Sequence, residues 1–199
     1  MTFVRPLALP LLATALLTHT AAVDAHKLRE KNVVVAVADS PLTVTPSIDW
    51  NRLSGDSGKN TETWTLDGEQ LNDVTFFAGI EAGKPLVKER SKKKDPLPKF
   101  RRATLLPEVP ELLEGTYRAY KKIGSFKVTV SEPTTFLGTA GIHFTFEFTD
   151  ADLLPRKGDA RAAIIDGKLF MMTFDAPRLY YYDHGIAAFR ALADTAKRS

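Results

Sequence analysis

His143 and Glu147 stand four residues apart in Ile142 to Thr149 (IHFTFEFT), where apolar and polar residues alternate strictly. A strand with this period puts Ile142, Phe144, Phe146 and Phe148 on one face and His143, Thr145, Glu147 and Thr149 on the other. An imidazole and a carboxylate on one face are the groups needed for general acid–base catalysis or for a polar ligand pocket. The same pattern also suits a solvated or helix-covered face whose polar groups bond to their neighbours.

Other chemistry-bearing residues are sparse. There is no cysteine, and of four histidines His19 and His26 fall at the N-terminal end, leaving His143 and His184. Two histidines without a third ligand do not make a metal site. Phosphate loops, Gly-rich dinucleotide turns, paired zinc histidines and nucleophile elbows are all missing from the sequence. Asp150, Asp152 and Asp159 surround a segment with Pro155 and Gly158. They lack EF-hand spacing and read as a solvated turn. The run Arg178 to Asp183 contains Tyr180, Tyr181 and Tyr182. Three successive rings cannot all face inward on a strand, so one is expected to be exposed or to line a groove, while the others anchor the last helix.

Charge is concentrated in one place. Lys88 to Arg102 (KERSKKKDPLPKFRR) holds eight Lys or Arg against two acids, a net +6 in a chain whose total is +3. The remainder is thus slightly acidic. With Pro96 and Pro98 and no apolar period, this segment is expected to be an exposed loop. Lys92, Lys93, Lys94, Arg101 and Arg102 are its candidate contacts for an anionic envelope component or an acidic protein. Only Phe100 interleaves with the charges, so stacking machinery for nucleic acid is lacking.

The elements that position these residues follow from pattern. Before the basic segment, Asn32 to Val37, Leu42 to Thr45, Thr61 to Leu66 and Asp73 to Phe77 read as strands, with Trp50, Trp64 and Phe76 packing inside. After it, Val109, Leu112, Leu113, Thr116, Tyr120 and Ile123 recur at helical spacing, with Pro110 in the first turn and Gly124 at the end. A strand Phe126 to Val130 is expected to break at Pro133. Ala160 to Ile165 and Lys168 to Phe174 flank Asp166-Gly167, a hairpin signal. Ile186, Phe189, Leu192, Ala193 and Ala196 mark a final helix with Asp183 as N-cap. Tight hairpins and single helices predict α+β: one domain over 26–199, an antiparallel sheet flanked by helices in α/β/α layers.

Residues 1–25 read as a cleaved signal peptide. Arg5 precedes the 12-residue apolar stretch Pro6 to Leu17, and small residues follow. Cleavage after Ala25 is preferred over cleavage after Ala22. Twelve apolar residues fall short of a membrane span, and no later stretch is longer. Without cysteine there is neither a lipoprotein anchor nor a disulfide. A periplasmic or secreted location is expected, with no transmembrane segment in the mature chain.

From the first helix onward the element order resembles the family of PsbP-like proteins, named for the photosystem II extrinsic protein P and including the Mog-type proteins. The residues carrying it are PELLEGTYRAYKKI (Pro110 to Ile123), FKVTV, FLGTAGIHFTFEF, the hairpin at Asp166-Gly167 and the last helix entered from Tyr182-Asp183. LTVTPSIDW (Leu42 to Trp50) looks like the opening of such domains. The resemblance implies an α/β/α domain used for binding or assembly, generally without catalysis; from the missing motifs no cofactor is expected. It carries no functional residue onto a numbered position.

The expected function is therefore an exported, non-enzymatic module that binds a protein or envelope component. Two alternatives stand beside it: a small hydrolase or isomerase using His143 and Glu147, and a carrier of a small apolar ligand.

Overall fold

The computed structural model describes residues 27–38, 40–55, 57–91 and 93–198. The expected signal segment, His26 and Lys92 lie outside the described residues. In chain order the strands before the first helix are β1 (Lys27–Arg29), β2 (Val35–Ala36), β3 (Leu42–Val44), β4 (Trp50–Arg52), β5 (Thr61–Thr65) and β6 (Asp73–Glu81). Helix α1 (Val109–Tyr120) leads to β7 (Ser125–Phe136), β8 (Thr139–Thr149), β9 (Pro155–Ile165) and β10 (Lys168–Pro177). Helix α2 (Tyr181–Asp194) and β11 (Lys197–Arg198) complete the chain.

Eight strands form one antiparallel sheet in the order β1-β4-β5-β6-β10-β9-β8-β7. Alternation sends successive side chains to opposite faces, and each face has its own core. Toward α1 lie Phe77, Met171, Phe144, Phe146 and Phe148, closed by Leu113 and Tyr117 of the helix. Toward α2 lie Trp50, Trp64, Phe76 and Phe174, closed by Phe189 and Leu192. A small sheet, β11-β3-β2, extends the α2 layer. Burying each such aromatic removes apolar surface worth about 1.5–3 kcal/mol. The layered α+β architecture expected from the pattern is the one found.

Several boundaries differ for identifiable reasons. Pro133 does not end β7, which continues to Phe136. It is an outer strand of the sheet, where a missing N–H costs no ladder bond. The strand before the Asp-Gly turn begins at Pro155, not Ala160, so Gly158 and Asp159 sit in a strand and not in a loop. Gly158 lies beneath the Phe146 ring; a Cβ there would approach Phe146 Cζ to 2.1 Å. At the turn itself Asp166 and Gly167 both take positive φ, 52° and 72°, the conformation a two-residue primed turn requires. Of Asn32 to Val37, only Val35–Ala36 is strand, because Asn32 and Ala38 turn through positive φ on either side. Helix α2 starts two residues before Asp183, with Tyr180 at the N-cap.

Candidate functional site

On the α2 side, β8 presents His143, Thr145 and Glu147 as the alternation requires. His143 does not turn toward Glu147. Its Nδ1 meets Glu132 Oε1 at 2.9 Å and its Nε2 meets Asp159 Oδ1 at 3.1 Å. Asp159 is fully buried, and its other oxygen accepts from Arg190 Nη2 of α2 at 2.8 Å. Thr145 bonds to Thr129. Glu147 stands in register with Lys127 and Lys157. The result is a chain Glu132–His143–Asp159–Arg190 that ties the sheet to α2.

The tyrosine run divides. Tyr180, at φ 69° and ψ −64°, forms a γ-turn closed by the Tyr181 N–H on the Leu179 carbonyl, and its ring is exposed. It stacks on His184 with ring centroids 5.3 Å apart. Tyr181 is half-buried in the first turn of α2. Tyr182 rests against Phe174, with Lys157 Nζ above its ring. Burial, and then the charge of Asp159, push its phenol up to about 12.

The basic segment is exposed in its charges but not in its backbone path. Lys93, Lys94, Arg101 and Arg102 are exposed. Leu97 and Phe100 are instead buried beneath α1, and Phe100 exchanges backbone bonds with Gly83 and Lys84. Lys88 N–H also reaches the Ser57 carbonyl. Two apolar residues thus strap this loop to the core.

The cluster with the richest chemistry lies elsewhere, in a cavity of about 400 Å³ between α1 and the sheet. Thr63, Asp73 and Thr75 face it from β5 and β6, and Asp175 from β10. Arg156 of β9 and Tyr117 and Lys121 at the end of α1 complete its charged floor. Phe77, Tyr120 and Phe148 supply aromatic walls. Exposed residues Ser54, Gly55, Ala151 and Asp152 stand at its mouth.

Pairing of β6 with β10 places Asp73 directly opposite Asp175. Like charges at such positions repel, and the two environments resolve the conflict in opposite ways. Asp175 Oδ1 accepts from Arg156 Nη2 at 2.8 Å; its Oδ2 accepts from Lys121 Nζ at 2.6 Å and from Tyr117 Oη at 2.8 Å. Burial alone would raise its pKa, but Lys121 and Arg156 outweigh that and hold it below the usual carboxylate range. Asp73 receives the Gln70 backbone N–H on both oxygens, at 3.1 and 3.2 Å, and has no cation within ion-pair distance among the described residues. Burial first, and Asp175 second, push Asp73 up to about 7. Burial would lower Lys121, yet the adjacent Asp175 raises it above its ordinary value. Its ammonium also sits 4.2 Å from the Tyr117 ring centroid.

This arrangement can hold a charged or hydrogen-bonding group at Asp73 while an apolar body meets the aromatic walls. Among the described residues no group of three or more His, Cys, Asp or Glu is placed to hold a metal ion. No helix among them is long and apolar enough to cross a membrane. The charged residues of the cavity floor, Asp73, Lys121, Arg156 and Asp175, carry no site motif in the sequence. The signal for them was acid within apolar strand patterns, in Asp73-Val-Thr-Phe-Phe and Phe174-Asp175-Ala176, and Lys121 one helical turn after Tyr117 on the core face.

No family model and no curated protein matches the sequence. Solved structures do match its fold. The solution structure of cyanobacterial PsbP (CyanoP) from Synechocystis sp. PCC 6803 superposes over 92% of this chain and 99% of that chain, with TM-score 0.54 and 12% identity. Looser overlaps, at TM-scores 0.42 and 0.37, occur with PA94 from Pseudomonas aeruginosa, of unknown function, and LpqN of Mycobacterium tuberculosis, involved in cell envelope biogenesis. They cover 80% and 88% of this chain and 92% and 86% of theirs, at 11% and 8% identity. The chain thus has the PsbP-like fold, one large antiparallel sheet between two helical layers.

Proposed function

We propose that this protein is an exported, non-enzymatic binding module and that its ligand site is the cavity between α1 and the sheet. The observation that carries the reading is the facing pair Asp73 and Asp175 on the cavity floor. A core gains nothing from two opposed carboxylates; apolar residues of similar volume are as stable or more so. Their presence beside open space of ligand size fits a site that trades stability for recognition. The charged floor also favours an amphipathic ligand over a purely apolar one. His143, with both ring nitrogens bonded away from Glu147, gives the hydrolase reading no support. The signal-like N-terminus supports export.

The test is saturation-transfer NMR with phenethylamine, 2-phenylethanol and 3-phenylpropionate, probes of one shape and three charges. At least one is expected to receive saturation from the wild-type protein and to lose it in Thr63→Trp, whose indole fills the cavity. Equal transfer in both proteins, or none in either, refutes the site.

A second observation concerns the basic segment. Leu97 and Phe100 are buried within the segment that carries the exposed Lys93, Lys94, Arg101 and Arg102. We assign to it contact with an anionic envelope component.

A further inference from the structure

We propose that the cavity selects a small organic cation, a protonated amine on an aryl or alkyl body, and seats the ammonium on the Asp73 carboxylate. This rests on the reading of the cavity as a ligand site. Three observations define the class.

The first is charge. Six carboxylates and four cations line the cavity, and the cations are already engaged. Arg156 and Lys121 bond to Asp175, Arg52 lies 3.5 Å from Glu62, and Arg90 stacks over Tyr120 with its guanidinium 4.5 Å from the ring centroid. An anionic ligand would have to break one of these contacts and would meet Asp73, which has no ion-pair partner among the described residues. A cationic ligand meets an unpaired carboxyl.

The second is burial. Asp73 is 8% exposed and lines the cavity from the floor. A charge-assisted hydrogen bond made there is worth more than one in water, since little solvent competes. The hydroxyls of Thr63 and Thr75, 3.3 Å apart, lie beside it as further partners for an N–H.

The third is the wall. Tyr117 and Phe148, 5.4 Å apart at 73°, line the cavity with Tyr120 and give the ligand body an aromatic wall. Lys121 and Arg90 already lie over two of these rings, so the walls accept cations.

Binding carries a proton signature. The groups facing Asp73 are Asp175 on β10, Arg156 on β9, and Lys121 and Tyr117 on α1, with the Gln70 N–H from the β5–β6 connection. With Asp73 titrating near 7 in the empty protein, an arriving ammonium displaces its proton to solvent. Affinity for the cation should therefore fall as pH drops below 7, while that of a neutral analogue should not.

The experiment is calorimetry of the full chain with phenethylamine, 2-phenylethanol and 3-phenylpropionate at neutral and mildly acidic pH. Phenethylamine is expected to bind at least about tenfold more tightly than either homologue, the value of one charge-assisted bond. Asp73→Asn is expected to erase that preference and its pH dependence. Tighter binding of the alcohol or carboxylate in the cavity overturns the cation class and leaves the ligand site standing. Absence of binding by all three overturns both. Unchanged amine affinity in folded Asp73→Asn overturns the assignment to Asp73. Should that variant not fold, the ranking of the three probes on the wild-type protein decides alone.

Discussion

Asp73→Asn should make the protein more stable at alkaline pH and flatten its stability across neutral pH. The Asp73 carboxyl titrates from 3.8 in the unfolded chain to about 7 in the folded one. Between those values the folded protein holds a proton that the unfolded chain has released. The stability this provides is fully present below 3.8 and is lost as pH rises through 7. Integrated from about pH 5 to about pH 8, the loss is roughly 3 kcal/mol. Asparagine keeps the shape and the Gln70 N–H acceptor, removes the charge facing Asp175, and does not titrate. Urea unfolding of both proteins at the two pH values isolates this group, since every other titration is shared. The free-energy difference between variant and wild type should grow in the variant's favour by about 3 kcal/mol from the lower to the higher pH. Parallel profiles would show that Asp73 ionises freely in the folded protein, and the account of the facing pair would fail.

The partner carboxylate should behave oppositely. Asp175→Asn leaves Lys121 and Arg156 without their counter-charge and is expected to cost about 3–5 kcal/mol at neutral pH, measured by the same unfolding assay; a neutral effect would refute the assigned pairing. Gly158→Ala puts a methyl into the Phe146 ring and should destabilise by about 1–3 kcal/mol, with recovery in the Gly158→Ala, Phe146→Leu double variant; additive losses would contradict the contact. Lys93→Glu with Lys94→Glu should weaken co-sedimentation with phosphatidylglycerol vesicles several-fold at low salt without changing the unfolding midpoint. Salt-insensitive binding by both proteins would remove the basic surface from the account.

The fold was legible because its strands alternate cleanly. Phe144, Phe146 and Phe148 announce one core face, and Met172, Phe174 and Ala176 supply the other. What the pattern hid was long-range. β6 pairs with β10, an encounter between residues about a hundred positions apart, and only that pairing sets Asp73 against Asp175. Neither residue is unusual alone. Gly158 looks like a turn signal until Phe146 is seen to need its missing Cβ. Pro133 looks like a strand end until β7 is seen to lie at the sheet's edge. Phe100 looks like one ring among charges until its burial under α1 is seen. His143 and Glu147 share the face that alternation predicts, but cross-strand neighbours and α2, not spacing, select Glu132 and Asp159 as the partners of His143.

The most direct test of the central claim is a crystal structure of the protein soaked in turn with phenethylamine, 2-phenylethanol and 3-phenylpropionate. Density is expected for at least one probe between α1 and the sheet, its ring against Tyr117 and Phe148 and its polar end toward Asp73 and Thr75. Three crystals with no probe in that cavity would contradict it.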